Sequence, residues 1–439
     1  MPENSYPVWD NSRRLALALV LVLLSAFSVP LLAFEVVEPP RHFLGVYGLQ
    51  GFNPLYFSPD TGLVAAANNT HLAVISGGEA LIVKARTNSA CQSGSSIYFS
   101  LLPPGIGREW ELLEVSNGSS VTLYRVTGTV LPFSRVVCGS DPFLVSSNSI
   151  RGVTVAEFRG AYARVLEVPL PLTGLRDAAY WNGRIYLVYG SDYYVEVDLE
   201  RSMAVQWRVE VPWADRITLN RVSATTTGPI AGGRAIVNGS ALGLLVDLGS
   251  GRALLINWTT AISVDVAASY NGTLWAFLRP AGDWGILAEI RGQEVVSAVK
   301  IVLPASFTLT ASGFGADFWM AGRLLGDLED AGFAVYWGLS TSPGMVGEGY
   351  LVRARALPVG TDSFRVTGLE ALLEPIDQRV ASRDLVLPVE KKELEPTVVE
   401  ASSKVYRAVI DRGVIMLTLA VLAISLSTLL YSLLKNYYW

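Results

Sequence analysis

The chain has 439 residues, a net charge of −5, 51% hydrophobic and only 17% charged residues. That composition excludes a disordered chain and a coiled coil, and the acidic balance argues against a nucleic-acid partner. Two histidines (His42, His71) are too few for a three-histidine zinc site, and the two cysteines (Cys91, Cys138) form no C-x-x-C pair, so no cofactor is expected.

Residues 15–34 carry no charge and follow Arg13 and Arg14. About 20 apolar residues cross a ~30 Å hydrocarbon core. The run therefore reads as a transmembrane helix or signal anchor, with a cleaved signal peptide as the rival reading. The two arginines put residues 1–14 in the cytoplasm, which makes 35–375 an extracytoplasmic domain. Five N-x-Ser/Thr sequons, at Asn68, Asn117, Asn238, Asn257 and Asn271, fall within it. Three are Asn-Gly steps, which favour exposed hairpin turns, where a glycan would fit.

From 43 to 357 the signals are those of strands. Residues 205–211, Val-Gln-Trp-Arg-Val-Glu-Val, alternate with period two. One unit recurs: an apolar strand ending in an acid, a short turn, then a second apolar strand. The acids Glu114, Glu157, Asp198, Asp247 and Glu289 follow at steps of 43, 41, 49 and 42 residues. Looser copies lie at 72–83 and 350–353. An all-β repeat of ~40–45 residues has the period of a propeller blade. The prediction is an all-β, seven-bladed β-propeller with a transmembrane helix at each end. The recurring acid is expected to satisfy turn amides.

Single turns resemble known families. Residues 56–62, Tyr-Phe-Ser-Pro-Asp-Thr-Gly, look like the turn of WD40-like and TolB-like propellers, and 247–252, Asp-Leu-Gly-Ser-Gly-Arg, is similar to the turn of quinoprotein blades. Leu255 stands where quinoprotein blades have Trp. Each match covers one unit, so the resemblance implies a propeller fold and no particular activity.

Beyond 375 the text changes. Residues 376–396, with the charged run 390–395, read as a linker. Thr397 and Glu400 fit a capping box, so 397–412 is expected to be a helical stalk. It leads into a second uncharged run, 413–434, and a short cytoplasmic tail, 435–439. The membrane is thus one expected partner.

Candidate sites are few. Asp327, Glu329 and Asp330 concentrate carboxylates that could hold Ca²⁺, although a solvated turn suits them better. Trp213, in a Pro-Trp-Ala-Asp stretch, is a candidate ligand platform. Cys91 and Cys138, 47 residues apart, are expected to form a disulfide between similar loops of adjacent units. A Ser-His-Asp site would have to use His42 or His71, and no P-loop or dinucleotide fingerprint occurs. The functional expectation is a cell-surface scaffold with a protein or glycan partner and no catalysis. The alternative is a surface enzyme, a glycan hydrolase or degenerate quinoprotein, with its site in the propeller channel.

Overall fold

In the computed structural model the chain divides into two compact units, 1–41 and 42–439. The described residues all lie in the second: 43–47, 49–76, 79–102, 109–127, 134–148, 152–260, 262–270, 273–280, 284–302, 307–314, 318–325, 330–339, 344–346 and 354–401. Strands dominate. The only helix among the described residues is a single 3-10 turn, Thr361–Ser363.

Six times in succession four antiparallel strands form a meander: 53–83, 87–127, 134–168, 177–210, 216–257 and 262–302. A seventh, 307–339, supplies three strands and takes its fourth, Phe43–Tyr47, from the front of the described chain. The local causes are readable. Strand Met203–Glu210 buries Ala204, Gln206 and Val209 and leaves the residues between them partly or fully exposed. Asn117-Gly118, Asn182-Gly183 and Asn238-Gly239 each pair two positive φ angles, 52° and 63°, 46° and 77°, 49° and 75°. The two-residue hairpins at 182–183 and 238–239 demand this, the three-residue turn 117–119 uses the same pair, and Asn-Gly supplies it with least strain.

Apolar side chains meet between consecutive meanders. Phe277 and Leu287 of the sixth pack on Phe307, Phe318 and Tyr336 of the seventh. Tyr47 and Phe333 pack with Phe57 and Ala66 of the first. The core is therefore distributed between the sheets.

From residue 354 the chain retraces its course. Ala354–Pro358 pairs with the last strand of the sixth meander, Arg365–Glu370 with that of the fifth and Leu372–Ala381 with that of the fourth. Arg383–Leu394 pairs first with the third meander and then with the second, and Thr397–Glu400 with the first.

This return segment overturns the expectation of seven equal, separate blades. Among the described residues the sheets number six and hold four, nine, five, five, five and six strands. Residues 383–394 weld the second and third meanders into one nine-stranded sheet, in the order that ends on Thr87–Ser93 and Ser134–Cys138. Those two edges come back together. Ser89 Oγ accepts the Val136 N–H at 3.1 Å, Ser93 Oγ donates to the Gly139 carbonyl at 3.0 Å, and Cys91 and Cys138 are bonded with Cα atoms 5.7 Å apart. The result is a near-closed barrel filled by Leu112, Val126, Leu144, Phe158 and Val165. The seven-bladed reading treated each repeat as a self-contained sheet and had no place for a strand shared by two.

The resemblance to propeller families does not extend beyond the turns that suggested it. At 58–63 Ser58 accepts from the Gly62 N–H and donates its own N–H to Leu63. At 247–252 Asp247 accepts the Gly249 and Ser250 amides at 2.9 and 3.2 Å.

Most of the expected linker 376–396 is strand: 376–381 belong to Leu372–Ala381 and 383–394 to Arg383–Leu394. Thr397–Glu400 is a strand and not the start of a stalk. The apolar runs 15–34 and 413–434 and the flanking 1–14 and 435–439 lie outside the described residues. Among the described residues no helix is long and apolar enough to cross a membrane. The expected anchoring, with a membrane partner, an extracytoplasmic domain and cytoplasmic termini, therefore finds no support among the described residues. The surface-scaffold and surface-enzyme readings depended on that anchor and on the propeller, and they go with it.

Candidate functional site

Each meander has a leading strand: Asn53–Phe57, Thr87–Ser93, Ser134–Cys138, Asp177–Trp181, Arg216–Ala224, Ile262–Tyr270 and Phe307–Phe314. Each touches the next, and the last touches the first. Together they line a cavity of about 580 Å³. Two features of sequence keep it open. The strands carry small residues where they face it: Ala178 and Ala179, Ser223 and Ala224, Ala267 and Ala268, Ala311 and Ser312. Five of the seven also contain a β-bulge, leaving Leu55, Asn88, Asn220, Asp265 and Thr310 outside the regular register. A bulge bends its strand and re-aims the neighbouring side chains.

Charges occupy successive leading strands in alternation: Arg135, Asp177, Arg221, Asp265. Arg135 Nη1 and Arg221 Nη1 both approach Asp177 Oδ1, at 3.6 and 3.9 Å, and Arg221 Nε lies 3.8 Å from Asp265 Oδ1. None of these reaches hydrogen-bond length. Several ion pairs within single meanders are shorter: Arg125–Glu111 is 2.8 Å, and Arg159–Glu157 and Arg291–Glu289 are 2.7 Å. The remaining carboxylate oxygens have other work. Asp177 Oδ2 accepts the Val222 N–H at 3.1 Å, and Asp265 Oδ2 accepts the Ser312 hydroxyl at 3.0 Å. Burial pulls the Arg135 pKa below its ordinary value; Asp177 opposes that and the cations Arg221 and Arg176 reinforce it. Arg135 and Arg221 share Asp177, Arg221 has Asp265 as a second acid, and none of these contacts is a hydrogen bond, so the guanidinium donors of this part of the wall can take another anion.

The opposite part differs. Tyr56, Phe314 and Trp319 line it beside Ser312. Gly313 makes room there, since a Cβ would sit 2.6 Å from the Trp319 ring. Burial, helped by Asp60, raises the Tyr56 phenol to about 12, so it stays neutral.

A second cavity, about 720 Å³, lies between the fourth and fifth meanders against Arg184, Tyr186, Tyr194, Glu196 and Trp207. Although it is larger, its Arg184 is held at hydrogen-bond distance by Glu196 and its two tyrosines are buried. The first cavity is the better candidate site.

The residues singled out in the sequence do not form it, with one exception. Cys91 and Cys138 line its wall as a disulfide. Trp213 sits apart on the turn after the fourth meander, 72% exposed and with φ of 65°. Asn117, Asn238 and Asn257 are exposed, Asn68 is half-buried with Oδ1 accepting the Thr70 and His71 amides, and Asn271 lies outside the described residues. Asp327 and Glu329 also lie outside them, Asp330 begins strand Asp330–Leu339, and no cluster of metal-ligating side chains occurs among the described residues.

The charged row was missed, yet a signal for it existed. Arg135, Asp177, Arg221 and Asp265 are spaced by 42, 44 and 44 residues, and the small pairs beginning at Ala178, Ser223, Ala267 and Ala311 by 45, 44 and 44. Comparing equivalent positions across the repeat would have found both. No protein-family model matches the chain, and no curated protein matches it in sequence.

Proposed function

We propose that this protein binds a small organic anion in the cavity of the seven leading strands, with Arg135 and Arg221 taking its carboxylate. The carrying observation is that Asp177 Oδ1 is the common neighbour of both guanidinium groups and bonds neither. A guanidinium held in a partly buried wall is worth most when its planar donors meet an oxyanion directly. Binding without chemical change is the reading adopted, because the row offers recognition and no activated nucleophile.

The test is calorimetric titration of the full chain with a series of linear monocarboxylates. Saturable binding at one site is expected, weakened by about tenfold or more in Arg135→Gln. Absence of binding by every acid, or equal binding to wild type and Arg135→Gln, would overturn the proposal.

A further inference from the structure

Strand order fixes what faces what across the cavity. The seven leading strands close on themselves, each touching the next and the last touching the first. Arg135 and Arg221 line the cavity from the third and fifth strands and flank Asp177 on the fourth. In a ring of seven, the place facing the fourth strand is the junction of the seventh and the first. Phe314 and Tyr56 line the cavity from those two strands, which Thr310 Oγ1 ties together by donating to the Pro54 carbonyl at 3.3 Å. The two poles also share a level. Contacts from Arg135 to Asp177, to Arg221, to Asp265 and to Ser312 run round the wall and end on the strand of Phe314, two residues from it.

The aromatic side is preformed. Phe314 and Tyr56 are half-buried, whereas the rings behind them, Phe318, Phe277, Phe57 and Trp319, are buried. Phe314 leans on Phe318 with 5.1 Å between ring centroids, and Phe318 on Phe277 with 4.7 Å. Tyr56 meets Trp319 edge to face at 6.0 Å, and Phe57 meets the same ring edge to face at 6.1 Å. The two front rings are therefore held in place, each with part of its surface still open. Aromatic rings favour a further ring at a tilted or edge-on angle beyond what buried area alone supplies, and a wall already in position costs a ligand little ordering entropy.

We infer that the ligand is an aryl-substituted carboxylic acid, its carboxylate on Arg135 and Arg221 and its ring against Phe314 and Tyr56. This rests on the reading of the cavity as an anion site and adds the group at the far end. A cavity of about 580 Å³ suits one small ligand, so a short spacer joins ring and carboxylate. A linear acid would satisfy the guanidinium groups and leave the open rings without an aromatic partner. A neutral arene would do the reverse.

A matched trio decides the matter: 3-phenylpropanoate, 3-cyclohexylpropanoate and the uncharged 3-phenylpropanamide, each titrated into the full chain. The phenyl acid should bind at least about fivefold more tightly than its saturated counterpart, and about tenfold or more tightly than the amide. Phe314→Leu should bring the ratio of the two acids toward one, and Tyr56→Leu, on the other strand, should act in the same direction. Arg135→Gln should weaken both acids and keep their ratio. If the two acids bind alike in wild type, or if their ratio survives both Phe314→Leu and Tyr56→Leu, the aromatic inference fails and the anion site stands. If the amide binds as tightly as the phenyl acid, or if neither acid binds, the anion site itself fails and the inference with it.

Discussion

At the scale of single residues, the recurring acids look alike in sequence and act differently in space. All five lie in the third strand of their meanders, near its end. The two aspartates cap turn amides: Asp198 takes the Arg201 N–H at 3.0 Å, as Asp247 takes two. The glutamates are one methylene longer and find other partners. Glu157 and Glu289 hold the arginine two positions on. Glu114 has no cation and accepts Ser96, Ser116, Tyr98 and Tyr124 hydroxyls. Burial pushes the Glu114 pKa up, but the four hydroxyls outweigh it and leave the pKa below the ordinary value. A depressed pKa means stability that is fully present above the unfolded value of ~4.3 and lost as pH falls through the folded one. Glu114→Gln should remove that acid-side loss and cost about 1–2 kcal/mol at pH 7, read from urea unfolding at pH 7 and pH 3.5. A steeper acid loss in the variant would contradict the assignment.

At the scale of elements, the return segment is where sequence and structure diverge most. The third strands were legible because alternation, acid and turn coincide in each repeat. Residues 383–394 were not. Pro388 argues against a strand, since it withdraws a ladder donor, and the charges from Glu390 to Glu395 resemble a solvated link. Yet Leu385, Leu387 and Val389 alternate toward the barrel interior, while Val386 is 68% exposed. The strand is viable because it lies across two sheet edges, so charged side chains cost it little. Where it enters, Arg164 Nη2 and Nε grip Asp384 at 2.8 and 3.0 Å, and Ser202 donates to the same carboxylate. Leu385→Ala and Leu387→Ala should each destabilise by about 1–2 kcal/mol, and Val386→Ala by less than ~0.5 kcal/mol. Chemical denaturation of the three variants checks the alternation. Equal effects would mean that the strand does not present one face inward.

At the scale of the whole molecule, closure depends on few links. The near-closed barrel is fastened outside by residues 383–394 and inside by the Cys91–Cys138 bond with its hydroxyl bridges. The disulfide was predictable from a spacing close to one repeat. The alternating charges are illegible within any one repeat, because the row runs across repeats. Constraining a loop of this size should stabilise by up to ~4 kcal/mol on the chain-entropy model. The double variant Cys91→Ser, Cys138→Ser should therefore lose about 2–4 kcal/mol, with a matching loss in wild type under reductant. An unchanged unfolding midpoint would show that the outer strand alone suffices.

The pairing of Glu79–Val83 with Thr397–Glu400 also sets a timetable for biosynthesis. The first meander leaves the ribosome early, but its outer edge stays bare until more than 300 further residues have been made. At ~5–20 residues per second that is an interval of roughly 15–60 s. During it the outer edges of the first six meanders lack their final strands, and unpaired edges invite pairing with other chains. The nascent protein must therefore be shielded by a chaperone or made slowly enough to stay dilute. Its last strands to be translated are those that end the exposure.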